Sequence, residues 1–263
     1  MREARRRSFD STADLYDAAR PECPDQLFDD LVELAELEPG ARLLEIGCAT
    51  GKATRPLLDR GFSVVCVELG ARLAERARQN LAGRPVEIHV APFETWEGEP
   101  GAFALVYAAT AWHWVEPALR YRKAHRLLRL GGHLAFWSAL HAFPEGFDPF
   151  FTEIQEVYDA LGESYGDAWP PPPPEQAPDV SDEVVASGLF EDVHVRRYVW
   201  DRLYTADEYI ALLDTFSGHV SMDASNRERL YHEVRARIDS RPERRVRRHW
   251  YAILHVARRS NPR

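Results

Sequence analysis

The sequence predicts an α/β protein in which a parallel sheet is covered by helices on both faces. Through the first half, apolar segments of strand length alternate with segments of helical periodicity. Those strand segments are apolar almost throughout rather than at every second residue, the pattern of strands buried on both sides. A glycine turn, "GCATG" (47–51), also closes the first strand and opens a helix, where open α/β sheets bind ligands.

The elements follow in order. "PDQLFDDLVELAEL" (24–37) places Leu27, Leu31 and Leu34 on one helical face, and Pro39-Gly40 ends it. Strands are expected at 42–46, 63–69, 86–91, 103–109 and 132–139, with helical patterns in "KATRPLLDR", "ARLAERARQNLA" and "EPALRYRKAHRLLR" between them. The second half breaks this rhythm. After "FDPFFTEIQEVYDALG", the five prolines at 170–174 read as a stiff linker. A short helix over 181–190 takes Ser181 as its N-cap, and 191–204 alternates as a long strand. Capping boxes are expected at Thr205–Glu208 and Ser225–Glu228. The last strand, 249–259, is expected to pair with 191–204.

Composition narrows the function. At 263 residues and 45% hydrophobic content, the chain suits one large domain or a core with an elaborated subdomain. No apolar run approaches the ~20 residues that span a bilayer, and the basic N-terminus lacks a secretory apolar region. Three cysteines, Cys23, Cys48 and Cys66, are odd in number and lack metal-ligand spacing, so a cytoplasmic location and no metal are expected. A net charge of −9 disfavours nucleic-acid binding. Basic clusters remain at Arg5–Arg7 and in "RPERRVRRH" (241–249), the latter expected as a solvated helix face, although its arginines suit an anionic acceptor.

Three ligand classes compete for the glycine turn. A phosphate-binding P-loop needs one more spacer residue and a hydroxyl where Ala53 stands. A dinucleotide fold needs G-x-G-x-x-G, whereas this turn reads G-x-A-x-G with Glu45 two residues ahead. A fixed carboxylate there repels pyrophosphate and attracts an ammonium group. Glu68 ends the next strand, 23 positions after Glu45, where it suits two ribose hydroxyls. The pair favours a cationic, phosphate-free nucleoside, S-adenosylmethionine, over a nicotinamide cofactor.

"LLEIGCATGKAT", "VVCVELG", "FALVYAATAWHWV" and "AHRLLRLGGHLAFW" resemble successive motifs of class I S-adenosylmethionine-dependent methyltransferases. The similarity is greatest to the small-molecule group that includes the trans-aconitate methyltransferases, covers residues 8–140 well, and extends loosely to the final strands. It implies a doubly wound, Rossmann-like seven-stranded sheet, mostly parallel with an antiparallel last strand, and a helical cap formed by insertions. Residues 1–40 are then an N-terminal lid and first helices, 41–140 and 181–263 the core with insertions, and 141–180 and 205–248 substrate-covering segments.

The resemblance also implies roles. Glu45, Gly47, Cys48, Ala49, Thr50 and Gly51 match the first motif, whose backbone approaches the methionine part of the cofactor. Many members carry glycine where Ala49 stands, a departure that matters if the backbone there needs positive φ. Glu68 matches the ribose-binding acid, with Leu69 against the adenine. Phe93 and Glu94 resemble an F-E-x-W pattern near the adenine, and Pro92 replaces a common Asp or Asn, leaving Glu94 as its substitute. Tyr16 and Arg20 match a segment folding over the cofactor, with Arg20 on the methionine carboxylate. Trp112 and Trp114 wall the substrate pocket, and His113 between them suits the acceptance of a substrate proton. A histidine packed between core tryptophans is the alternative. A small-molecule acceptor reacting through oxygen, nitrogen or carbon is expected, carboxylates among them. The cofactor motifs alone do not separate an enzyme from a non-catalytic relative.

Overall fold

Four parallel strands form one half of the sheet: β1 (Arg42–Ile46), β2 (Ser63–Glu68), β3 (Val86–Val90) and β4 (Phe103–Ala109), in the order β3-β2-β1-β4. The computed structural model describes residues 13–163 and 169–261; Arg5–Arg7 and the beginning of the expected lid segment lie outside them. β5 (Leu128–Trp137) runs parallel beside β4. The last strand, β8 (Val246–Arg259), is antiparallel to everything it touches: β5 and β6 (Ala139–Ala142) on one edge, β7 (Phe190–Tyr204) on the other. A break at Ser138 divides β5 from β6, so eight strands occupy seven sheet positions. The expected α/β sheet and its terminal hairpin are both present.

Strand alternation divides the core between two faces. Leu43, Val64, Cys66, Leu105 and Tyr107 pack with Leu27, Phe28 and Leu31 of α2 (Asp25–Leu34) and Leu57 of α3 (Thr54–Asp59). Leu44, Val65, Val67, Val106 and Ala108 pack on the opposite side with Ala124 and Leu127 of α5 (Pro117–Leu127). Between these helices in sequence, α4 (Ala71–Asn80) follows β2. Both faces of the central strands are dry, which is why no polar alternation marks them in the sequence.

A third apolar cluster belongs to a helical layer over the strand ends. It joins Phe150, Phe151 and Ile154 of α6 (Phe150–Ala160) to Tyr209 and Leu212 of α8 (Ala206–Leu213), and Leu230, Val234 and Ile238 of α10 (Ala224–Asp239). α1 (Ala13–Ala19) and the short α9 (Ser217–Ser221) border this layer, while α7 (Ser181–Ala186) precedes β7. Among the described residues no helix is long and apolar enough to cross a membrane.

Local rules hold unevenly. The Thr205–Glu208 capping box is formed in both directions. The second expected box is displaced: Asp223, not Ser225, caps α10 by accepting from the N–H groups of Ser225 and Asn226. An aspartate two residues upstream offers the same oxygen one turn earlier, and the helix starts there. Ser181 likewise lies inside α7, its N–H and Oγ both donating to Asp179. The basic stretch 241–249 is no helix face, because α10 ends at Asp239 and β8 starts at Val246.

Candidate active site

The glycine turn is held by its own hydrogen bonds and by close packing. Gly47, at φ +72°, donates to Val67 O at 2.8 Å, and a Cβ placed on it meets Ala111 Cβ at 2.7 Å. At Gly51, φ +89°, a Cβ meets Leu81 Cδ1 at 2.8 Å. Both positions therefore exclude side chains on conformation and on space. Ala49 also has positive φ, +47°, in the left-handed region that an alanine enters at a cost of about 1–2 kcal/mol. The condition under which its methyl matters is met.

The two acidic residues occupy different depths. Glu45 is fully buried beneath the turn, where Oε2 accepts from Thr54 Oγ1 at 2.6 Å and Tyr107 OH at 2.7 Å. Its Oε1 is buried without a hydrogen-bond partner among the described residues. Burial pushes this carboxyl up to about 7, against the two hydrogen bonds, which favour its ionised form. Glu68 stands at the cavity wall, 6% exposed, with Oε2 accepting from Ala49 N–H at 2.9 Å and Oε1 from Gly70 N–H at 2.8 Å. One carboxylate thus ties the turn after β1 to the turn after β2.

A cavity of about 420 Å³ opens at these strand ends and brings together Tyr16, Arg20, Gly47, Ala49, Glu68 and Leu69 with Phe93, His113 and Trp114. A recess of about 70 Å³ shares Tyr16, Arg20, Gly47 and Ala49 and reaches down to Glu45, Cys48 and Thr50. Leu69, Leu73, Phe93 and Val115 make one end of the cavity apolar. Lys52, which borders the recess, faces Asp17 and Glu22. The Cys48 thiol is pushed up by its hydrogen bond with Cys66 and then by burial. The Cys66 thiol, which that bond favours as thiolate, is pushed up by burial and by the acidic residues nearby.

Two expected site residues lie elsewhere. Trp112 is 5% exposed and stacks on Phe136 with ring centroids 5.3 Å apart, inside the core rather than on the cavity wall. It begins a 3₁₀ turn, Trp112–Trp114, and such a turn rotates successive side chains by about 120°, separating the two tryptophans. Glu94 points away from the cavity, accepting from Glu116 N–H at 3.3 Å, and its carbonyl accepts from Lys123 Nζ at 3.0 Å. His113 is exposed at the rim with its ring 4.9 Å from that of Trp114, not packed between core tryptophans.

The structure also adds wall residues to which the motifs assign no role: Thr110, inside the β4 motif, and His141, Phe216 and Arg248, outside the motifs. Thr110 has φ +57°, and its Oγ1 accepts from Ala139 N–H at 3.3 Å. Arg20 donates from Nε to Thr215 Oγ1 at 2.8 Å and from Nη2 to Thr215 O at 2.9 Å. Other polar and aromatic cap residues are engaged within the cap: Tyr231 OH donates to Asp214 at 2.6 Å, Tyr158 and His219 bond at 2.8 Å, and Trp169 packs on Phe143.

The fold and the glycine turn between two buried acids define a nucleoside-binding α/β enzyme domain, and comparison with known proteins specifies it. Residues 44–136 match the methyltransferase domain family. The chain is 28% identical over 236 residues to an uncharacterized methyltransferase of Mycobacterium tuberculosis, covering 89% of this chain and 87% of that one. Among solved structures it resembles a candidate type II methyltransferase from Anaeromyxobacter dehalogenans, with TM-score 0.64, 22% identity, and 91% and 97% of the two chains covered. It also resembles the phosphoethanolamine N-methyltransferase 2 of Haemonchus contortus, solved with phosphomonomethylethanolamine and S-adenosylhomocysteine, at TM-score 0.55 and 16% identity. That match covers 96% of this chain and 58% of the other. Residues 44–136 thus form a methyltransferase domain of the class I, S-adenosylmethionine-dependent kind. The site fits that cofactor: an unpaired buried carboxylate oxygen lies under the turn, and two glycines keep the backbone bare above it.

Proposed function

We propose that the enzyme methylates a small molecule held in the 420 Å³ cavity between the sheet ends and the helical layer. The observation that carries this reading is the wall itself. Residues of the cofactor motifs (Gly47, Ala49, Glu68, Leu69) and residues of the covering segments (Phe216, Ser217, Gly218) line one space. A concave space flanked by Phe216 and Arg248 as well as by the strand ends suits a small molecule better than a polymer. The net charge of −9 supports the same choice.

In this reading Glu68 accepts the ribose hydroxyls, while Leu69 and Phe93 flank the adenine. The backbone of Gly47–Gly51 and the Glu45 carboxylate take the methionine end. Arg20 keeps Thr215 through Nε and Nη2 and meets the cofactor carboxylate with its remaining N–H groups. The cofactor supplies an activated methyl on a sulfonium, so the protein's task is in-line alignment of the acceptor and exclusion of water. Ala109 and Ala111, small residues beside Thr110, leave space for the acceptor at the end of β4. His113 at the rim takes the proton of an acceptor that carries one, while a carboxylate acceptor needs no base.

The test has two stages. S-adenosylhomocysteine should raise the melting temperature by several degrees at about 100 times Kd, where linkage adds ~2.7 kcal/mol, and NAD should not. A panel of carboxylate, phenol and amine acceptors should then reveal methyl transfer from labelled S-adenosylmethionine. A shift with NAD alone refutes the cofactor site. Transfer only to RNA or protein refutes the small-molecule acceptor.

A further inference from the structure

Arg248 is the most unusual side chain in the cavity wall. Strand alternation in β8 points Val246, Arg248 and Trp250 inward, while Arg247 faces out and pairs with Asp201. Arg248 is 5% exposed. Its Nη1 donates to Tyr209 OH at 3.3 Å, and its guanidinium lies 4.3 Å from the Trp250 ring centroid and 5.3 Å from that of Phe216. Nε is buried without a hydrogen-bond partner, and no carboxylate among the described residues forms an ion pair with this arginine. Arg20 approaches the same Phe216 ring, at 4.1 Å, and likewise forms no ion pair with a carboxylate among the described residues.

Two guanidinium groups therefore share one cavity, and neither forms an ion pair among the described residues, the Glu68 carboxylate of the same wall being taken up by the Ala49 and Gly70 N–H groups. Removing such a charge from water costs several kcal/mol, of which aromatic faces return a part. An anion entering the cavity would recover the rest. The cofactor brings one carboxylate, and the proposed reading places it beside Arg20. Arg248 lies too far across the sheet to compete for the nucleoside end. From β2, which carries Glu68, the order runs β1, β4, β5/β6, β8, four strand spacings or roughly 19 Å. Its cavity neighbours are Leu140, His141 and Phe216, from the part of the wall that the cofactor motifs leave out. His141 Nε2 is likewise buried without a partner among the described residues.

We propose that Arg248 is the anchor for an anionic methyl acceptor, a carboxylate or phosphate monoester whose apolar body lies against Leu140 and Phe216. His141 Nε2 offers the anion or its neighbouring atoms a second polar contact. This rests on the reading of the cavity as a joint cofactor and acceptor site. The anion is the group recognised, and the atom to be methylated faces the end of β4.

The experiment uses the full chain saturated with S-adenosylhomocysteine, so that no turnover intervenes. Calorimetric titration compares 4-phenylbutyrate with 4-phenylbutyramide, and benzyl phosphate with benzyl alcohol. At least one anion should bind tenfold or more tightly than its neutral counterpart, and which one does so distinguishes carboxylate from phosphate. Arg248→Met should erase that preference and Arg248→Lys should retain part of it. Both variants should bind S-adenosylhomocysteine within threefold of the wild type, which also reports an intact fold. Equal binding of charged and neutral probes, no anion binding to the loaded wild type, or a preference that survives Arg248→Met would overturn the proposal. If S-adenosylhomocysteine itself does not bind the wild type, the cofactor reading fails instead, and the same titrations on the unliganded protein then decide Arg248 alone.

Discussion

The two ends of the cavity are built in different ways. At the nucleoside end, consecutive strand ends supply the wall: Gly47 and Ala49 after β1, Glu68 and Leu69 after β2, Ala91 and Phe93 after β3. Backbone groups and one carboxylate do the positioning, and Glu68 binds two turns at once. At the other end, the wall comes from α1, the end of β4, β6, the α8–α9 connection and β8, whose residues are up to 232 positions apart, Tyr16 to Arg248. Here side chains on rings replace backbone amides. In the proposed reading, fixed parts serve the cofactor, and parts that can vary without disturbing the sheet ends serve the acceptor.

The largest effect should break the nucleoside end alone. Glu68→Ala removes the acceptor for Ala49 N–H and Gly70 N–H as well as for the ribose. Charge-assisted hydrogen bonds contribute about 1.5–3 kcal/mol each, so S-adenosylhomocysteine affinity should fall at least 100-fold by calorimetry. Affinity within tenfold of the wild type would place the ribose elsewhere. Next in size is His113→Ala. With an acceptor that carries a proton, turnover should drop about 100-fold with S-adenosylhomocysteine affinity unchanged, the usual range for loss of a general base. Unreduced turnover rejects that role and leaves alignment as the source of catalysis.

The same contrast explains what could be read in advance. Glu45 and Glu68 are legible because parallel strands set them side by side with the turn between them, a local consequence of β1 pairing with β2. Arg248 was submerged in a basic run read as a helix face. The signal that could have found it is period two counted back from Trp250, which puts Arg248 and Val246 on the same buried side. The resemblance places Trp112 in the pocket beside Trp114, but a 3₁₀ turn sends neighbouring side chains to different faces. Glu94 was a motif substitute whose carboxylate serves the turn before α5 instead. Thr110 and His141 carry no pattern of their own, and only the closure of the helical layer gives them a role in the wall.

A pH series sharpens the depth difference between the two acids. In the free protein the Glu45 carboxyl titrates near 7, raised by burial, whereas an ammonium bound above it favours the carboxylate. Binding must therefore displace a proton below that pH. S-adenosylhomocysteine affinity should weaken about fivefold between pH 7 and 6, equal to ~1 kcal/mol, approach tenfold per unit below that, and level off above 7. Glu45→Gln should flatten the profile. The sign in the free protein is opposite: a raised carboxyl binds more protons folded than unfolded. Its contribution to stability thus increases as pH falls from about 7 toward the ordinary 4.5. The difference between wild-type and Glu45→Gln denaturation midpoints isolates this term from the buried histidines, His141 and His219, which shift the other way.

The smallest effect belongs to Ala49→Gly. At φ +47° the alanine methyl costs about 1–2 kcal/mol of local strain, while glycine adds roughly 0.4–1 kcal/mol of unfolded-chain entropy. The two nearly offset, and a net gain of about 0.5 kcal/mol in denaturant unfolding is expected. The N–H at this position donates to Glu68 whichever residue stands there, so S-adenosylhomocysteine affinity should stay within about threefold. A loss of more than 1 kcal/mol would mean that the methyl packs usefully against the cavity wall and that the strain is repaid locally. A tenfold change in affinity would mean that the alanine tunes the turn itself. Thr110, the other left-handed residue at the cavity, is a poorer candidate for the same exchange, because its Oγ1 accepts from Ala139 N–H and fixes the start of β6. Strain at the nucleoside end is thus held by a backbone contact any residue can make, and at the acceptor end by a side chain that glycine lacks.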